Sequence, residues 1–235
     1  YIHFEMYTKM VNSINGPKTV ITSRNFNSAF TELENTDSIN KIIWLQDPVS
    51  DKDVFSIDQS KRVYDKIVVS SHWHKQQLLT NYRYCIRKEN VIVIPLTIDK
   101  KYYANKVEKV PYRIIYTSSP NRGLSNLLHI WPALTQIFPK AELHLFYGWD
   151  TLKMYLPEDR WKPHYDLLME SLEKYPNIID HGKVTKAQLA VEQQRAQLCI
   201  FPNNATETFC LTALELTAAG TPMVYTSVGA MRETV

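Results

Sequence analysis

Glu207 and Glu215 are the side chains of this sequence best suited to gripping a polar substrate. They stand eight positions apart in Glu-Thr-Phe-Cys-Leu-Thr-Ala-Leu-Glu, and the pattern from Phe209 to Ala219 predicts a helix, with Glu207 just ahead of it and Glu215 two turns inside. A helix N-terminus presents unpaired backbone N–H groups and partial positive charge, which suits a diphosphate. Each carboxylate can accept hydrogen bonds from hydroxyls such as those of a sugar or a ribose. One short segment can therefore hold both ends of a nucleotide-sugar. The plainer alternative stays open at this point: Glu207 as an ordinary N-terminal helix carboxylate, with Thr206 or Thr208 as the cap.

A second segment offers complementary chemistry. Thr117-Ser-Ser-Pro-Asn-Arg-Gly123 follows a strand pattern and precedes a helix pattern. Ser119 brings a hydroxyl, Pro120 a fixed turn, Arg122 a guanidinium able to neutralise phosphate, and Gly123 lets the backbone approach a ligand closely. A capped helix start with a surface arginine accounts for the same residues.

Short β-branched runs alternate with helix-period segments, which predicts parallel sheets with helical crossovers. The front half holds strands at Lys18 to Thr22, Lys41 to Leu45, Lys66 to Ser70 and Val91 to Pro95, with a helix from His72 to Leu79. Around Leu96 to Val110 the pattern dissolves into Lys, Tyr, Asp and Asn, which reads as a linker between a domain over 1–106 and another over 110–235. The back half is more regular. Its strands are expected at 113–117, 142–147, 177–180, 198–202 and 223–226, and its helices at 124–138, 161–175, 186–197 and 209–219. Gly220 and Pro222 stop the last helix. Ligands of such sheets sit outside the carboxyl ends of the strands, where both segments above lie.

The 235 residues are 44% hydrophobic and 22% charged, ordinary for a globular protein with a sizeable core. Tyr1 and Val235 both read as ends cut from something longer. No apolar run approaches membrane-spanning length. Cys85, Cys199 and Cys210 are an odd count without metal-ligand spacing, two of them in strand-like or helix-start contexts where free Cys behaves as a small hydrophobe, so a reducing cytoplasm is expected. The net charge of +3 comes from the first half, an excess that suits an anionic acceptor or a peripheral contact with an anionic membrane but equally a solvated face. An ordered basic and aromatic groove for nucleic acid is lacking. Asp51-Lys-Asp53 and His72-Trp-His74 spell metal motifs without the context or spacing to bind one. Asn204-Ala-Thr206 spells a glycosylation sequon that would go unused in a cytoplasmic loop.

Glu207 through Glu215, followed by Ala218-Ala-Gly-Thr-Pro222, resembles the paired-glutamate signature of retaining glycosyltransferases of family 4. Ser119-Pro-Asn-Arg-Gly-Leu124, Asp65-Lys-Ile-Val-Val-Ser70 and Val91-Ile-Val-Ile-Pro95 add to the resemblance. It implies an α/β fold of the GT-B kind, two Rossmann-type doubly wound parallel-sheet domains facing a cleft, here with an incomplete N-terminal domain. It also implies a nucleoside diphosphate sugar as donor, a hydroxyl acceptor on a glycan, lipid or protein, and neither cofactor nor metal. By the same resemblance Glu207 contacts hydroxyls of the donor sugar, and the backbone N–H groups of Phe209, Cys210, Leu211 and Thr212 meet sugar or diphosphate oxygens. Glu215 binds the ribose diol, Arg122 clamps the diphosphate beside Ser119 and Gly123, and Gly182, Lys183 and Val184 read the base.

The departures from the family pattern are equally specific. Arg122 stands where a lysine is usual, Ser118 and Ser119 lie where a further arginine is common, and Gln46 occupies the place of a catalytic histidine. The Gly-rich loop expected near the start of the first domain is absent. The expected activity is transfer of a hexosyl group, catalysed by Glu207, Arg122 and Gln46. Two alternatives are a nucleotide-sugar-binding module without transfer and a GT-B sugar-nucleotide epimerase.

Overall fold

The computed structural model describes residues 18–23, 39–49 and 64–235. Asp51-Lys-Asp53 lies outside them. The chain divides into two compact units, one running up to Leu96 and taking in Glu207–Phe209, the other comprising Thr97–Thr206 and Cys210–Val235.

The first unit is built on four parallel strands, β1 (Lys18–Ser23), β2 (Ile39–Trp44), β3 (Lys66–Val69) and β4 (Val91–Val93), laid side by side in chain order. Ile67 and Val69 point one way and Val68 the other, yet all three are buried, as expected of a parallel strand covered on both faces. Helix α1 (His72–Tyr82) returns the chain from β3 to β4. Ser71 caps it, its hydroxyl accepting from the N–H of His74, and Leu78 buries against Ile67, Val69 and Val91 in the core.

His74 sits inside this unit. Burial pushes its imidazole down from the ordinary 6.5 to about 4, against an upward pull from Asp47. A histidine held neutral in the folded state contributes stability that is complete above the unfolded pKa and is lost as the proton becomes available to the unfolded chain. The expected loss therefore runs from about pH 6.5 down to about pH 4, at ~1.4 kcal/mol per pH unit. His144 in the second unit is shifted the same way. Denaturant melts of His74→Phe and of the parent at pH 7 and pH 4 isolate the first contribution: the variant should lose ~3 kcal/mol less stability over that range, and parallel losses in the two proteins would refute it.

The second unit holds β5 (Arg113–Tyr116), β6 (Glu142–Leu145), β7 (Ile178–Asp180), β8 (Leu198–Phe201) and β9 (Met223–Tyr225), all parallel, in the order β7-β6-β5-β8-β9. Strand order therefore reverses between β5 and β8. That reversal opens the crevice where doubly wound sheets bind ligands. The crossovers carry helices α2 (Leu124–Ile137), α3 (Asp150–Tyr155), α4 (Glu158–Lys174), α5 (Lys186–Arg195) and α6 (Leu211–Ala218), and α7 (Met231–Thr234) follows β9. Trp131 of α2, Leu168 of α4 and Leu216 of α6 close over Ile115, Tyr116, Leu143 and Phe201 of the sheet.

The element boundaries differ from the sequence expectation where side chains rather than periodicity decide them. Helix α6 begins at Leu211 instead of Phe209, so Glu215 is its fifth residue, one turn inside rather than two. Helix α4 starts at Glu158, before the expected 161, and α3 was not expected at all. The segment read as a linker contains a 3-10 turn at Lys100–Tyr103, capped by Asp99 and packed on α5.

Candidate functional site

The two loops flanking the strand reversal carry most of the residues singled out above. After β5, Tyr116 donates its hydroxyl to the carbonyl of Ser119 at 2.9 Å, Ser119 Oγ donates to Asn121 Oδ1 at 2.6 Å, and the N–H of Arg122 closes a turn on the Ser119 carbonyl at 2.8 Å. Ser119 thus shapes the loop, and Arg122 rides on the turn, half-buried. Gly123 is the N-cap of α2 with φ of 98°, a left-handed conformation, and has no side chain to cap the helix.

After β8, Asn203 is buried and makes a reciprocal pair with Ala205, accepting from its N–H and donating to its carbonyl, both at 2.9 Å. Asn126 Nδ2 donates to the Pro202 carbonyl at 3.0 Å, and Thr226 donates its hydroxyl to the carbonyl of Asn203. A Cβ on Gly123 would lie 2.2 Å from the Pro202 carbonyl oxygen. The close approach that needs a glycine here is therefore between two loops of the protein itself.

Cys210 is the N-cap of α6 and offers no side-chain hydrogen bond to its first turn. Helix α5, in contrast, has a complete capping box from Thr185 and Gln188. The N–H groups of Leu211 and Thr212 lie in the uncapped first turn of α6, at the carboxyl end of β8. Glu215 stands one turn further along on the same face as Leu211. Both line a cavity of about 80 Å³ shared with Asp99, Tyr102, Tyr103 and Lys186. Gln193 Nε2 donates to Glu215 Oε2 at 3.1 Å, and Tyr103 donates its hydroxyl to Gln193 Oε1 at 2.7 Å. A larger apolar recess of about 310 Å³, lined by Tyr112, Phe138 and Leu198, lies at the opposite ends of these strands and offers few polar groups.

The Gly182-Lys183-Val184 segment follows β7. Gly182 has φ of 62°, its N–H donates to Asp180 Oδ1 at 2.9 Å, and its carbonyl accepts from Tyr147 N–H at 3.0 Å. His181 just before it stacks on Phe146 and shares a 2.9 Å hydrogen bond with His144. Burial holds the His144 imidazole below its ordinary pKa, with the charge of Arg113 acting in the same direction.

Gln46, Glu207 and Phe209 belong to the first unit. There Ser70 and Ser71, both fully buried, donate their hydroxyls to the Thr208 carbonyl at 3.1 and 2.7 Å, and Thr208 Oγ1 donates to the Gln46 carbonyl at 2.5 Å. The Gln46 amide itself donates to Ser23 Oγ at 3.2 Å. Glu207 lies four residues ahead of α6, outside its first turn, and is half-buried.

Sequence reasoning missed Tyr103, Gln193, Lys186 and Asp99. A usable signal was present, because Lys186, Leu189 and Gln193 recur at i, i+3 and i+7 and so share one face of α5. Among the described residues, no group of three or more His, Cys, Asp or Glu side chains is placed to hold a metal ion, and no helix is long and apolar enough to cross a membrane.

The family model for glycosyl transferases group 1 matches residues 111–235, more than half of the chain. The chain belongs to that family. No curated protein matches this glycosyl transferases group 1 chain significantly. Among solved structures it is similar to Anabaena Alr3699/HepE in complex with UDP and glucose, at a TM-score of 0.72 and 14% identity over 98% of this chain and 64% of that one. A glycosyltransferase from Rickettsia africae gives 0.71 and 14% over 98% and 62%. The pneumococcal O-GlcNAc transferase GtfA in complex with UDP and GlcNAc gives 0.69 and 14% over 98% and 46%. At these identities the likeness shows the fold, which is α/β of the GT-B kind. The group 1 chain spans about half the length of the solved relatives it matches.

Proposed function

We propose that this chain is part of a retaining, family 4-like hexosyltransferase that moves a sugar from a nucleoside diphosphate donor to a hydroxyl acceptor. The observation that carries the reading is the strand reversal between β5 and β8, where the loop bearing Arg122 meets the loop leading to the uncapped start of α6, with Glu215 on a cavity one turn beyond. The resemblance seen in the sequence and the UDP complexes of the solved relatives support a nucleotide-sugar as the ligand.

In this reading the main-chain N–H groups of Phe209, Cys210, Leu211 and Thr212 receive the diphosphate and sugar oxygens, Glu207 takes hydroxyls of the donor sugar and Glu215 the ribose diol. The backbone of Gly182, Lys183 and Val184 reads the base, with Gly182 itself held in place by Asp180 and Tyr147. As the anomeric carbon leaves the diphosphate, negative charge grows on phosphate oxygens. Arg122 and the helix N–H groups stabilise that charge more in the transition state than in the ground state, without calling on a metal. Gln46 serves the acceptor side, and the acceptor is a hydroxyl of a glycan, lipid or protein.

Melting curves with UDP-, GDP- and ADP-sugars test the donor site. One donor should raise the melting temperature by the equivalent of ~2.7 kcal/mol at a hundredfold excess over its dissociation constant. Release of nucleoside diphosphate, with the sugar passing to water or an acceptor, should accompany it. Glu215→Ala should weaken the nucleotide without removing turnover at saturating donor. Absence of any shift across the panel would reject the reading.

A further inference from the structure

We propose that Tyr103 is a positioning residue for the donor's ribose, acting through Gln193 on Glu215. The inference rests on Glu215 being the ribose ligand and names what sets its orientation.

A carboxylate on an exposed helix face samples several rotamers, and discrimination between a ribose and a deoxyribose requires that it hold one. Glu215 is held through Oε2 by the amide of Gln193 at 3.1 Å. That leaves Oε1 with no hydrogen-bond partner among the described residues. Gln193 has no exposed surface, so its amide orientation is fixed by whichever groups it meets. Tyr103 is a donor aimed at Oε1 of that amide, at 2.7 Å, which leaves the Nε2 side to face Glu215. The chain of donors runs one way, from phenol to amide to carboxylate, and each link fixes the next.

The backbone under this relay is also tied down. Thr221 donates its hydroxyl to the Gln193 carbonyl at 2.6 Å, and the Lys109 ammonium bonds Thr221 Oγ1 and the carbonyls of Gln194 and Ala196. Burial, and then the charge of Glu215, push the Tyr103 phenol well above its ordinary pKa, so it remains a donor throughout the working pH range. Tyr103 and Glu215 both line the 80 Å³ cavity, together with Tyr102 and Lys186, which places the relay on the wall of the space a nucleoside would enter.

The readout is a ratio: the dissociation constant of a 2′,3′-dideoxyribonucleoside diphosphate divided by that of its ribonucleoside counterpart, measured by calorimetry with whichever of UDP, GDP or ADP binds most tightly. In the parent the ratio should be about tenfold or more, the usual worth of hydrogen bonds to a charged group. Tyr103→Phe keeps the ring in the cavity wall and removes only the donor. It should shrink the ratio at least threefold while leaving dideoxy binding unchanged, and it should have no further effect in a Glu215→Ala background, where the ratio is already close to one. A parent ratio near one, or no binding of any of the three diphosphates, would reject Glu215 as the ribose ligand and the inference with it. A large parent ratio kept intact in Tyr103→Phe would overturn the relay alone. Equal weakening of both nucleotides would overturn it too, because that is what a wall residue produces.

Discussion

Replacing Gly123 with alanine is expected to lower stability by about 3 kcal/mol or more and to abolish binding of a nucleoside diphosphate. Two independent costs meet at this position. With φ of 98° the residue occupies a region that L side chains avoid. The added Cβ would also stand 2.2 Å from the carbonyl oxygen of Pro202, 2.7 Å from its carbon and 3.0 Å from Asn203 Cα. All three are backbone atoms, so no flexible side chain can swing away. The β8 loop would have to shift as a body, and it is pinned by Asn126 on the Pro202 carbonyl, by the Asn203–Ala205 pair and by Thr226. Whatever moves, the spacing between the Arg122 turn and the approach to α6 is lost.

Gly182→Ala separates the two costs. Its φ of 62° is also positive, but a Cβ there meets nothing within 4 Å. It should therefore cost only about 1 kcal/mol. Urea melts and nucleotide titrations of both variants check this: Gly123→Ala within about 0.5 kcal/mol of the parent, or no more damaging than Gly182→Ala, would contradict the packing described for the two loops.

The contrast also shows which parts of the fold a sequence can declare. Strands such as Lys66–Val69 and Leu198–Phe201 were legible because strands buried on both faces must be runs of Val, Ile and their like. The stop at Gly220-Thr-Pro222 was legible because left-handed backbone and a missing N–H are properties of single residues. The start of α6 was not. Phe209 and Cys210 continue the apolar period, yet the chain is drawn out of helical conformation where Ser70 and Ser71 hold the Thr208 carbonyl, 138 and 137 residues away in sequence. Gly123 announces by its type that some group comes close to the backbone, but that Pro202 is such a group is settled by the fold alone. Tyr103 lies in a polar stretch without periodicity, on the short turn that aims it at Gln193. Local chemistry is written locally; partners brought in by topology are not.

Glu207→Ala is expected to cut turnover by about a hundredfold or more while leaving the affinity for free nucleoside diphosphate close to the parent. The structure separates Glu207 from the role an ordinary helix carboxylate would have. Helix α6 starts at Leu211 with Cys210 as N-cap, so Glu207 precedes the helix in the chain rather than belonging to its first turn. What fixes its backbone is the next residue: Thr208 is 6% exposed, with its carbonyl held by two buried serines and its hydroxyl spent on the Gln46 carbonyl. That holds the backbone beside Glu207 rigid, as the proposed grip on a reacting sugar requires. If this rigidity serves the sugar, Thr208→Val should also lower kcat, by slackening the backbone beside Glu207 without touching its carboxylate. Steady-state release of nucleoside diphosphate from the best donor, set beside calorimetry with the free diphosphate, separates the two effects. A Glu207→Ala enzyme with kcat within about threefold of the parent would remove Glu207 from the site, and a loss carried wholly by weaker binding of the free diphosphate would reassign it from the sugar to the leaving group.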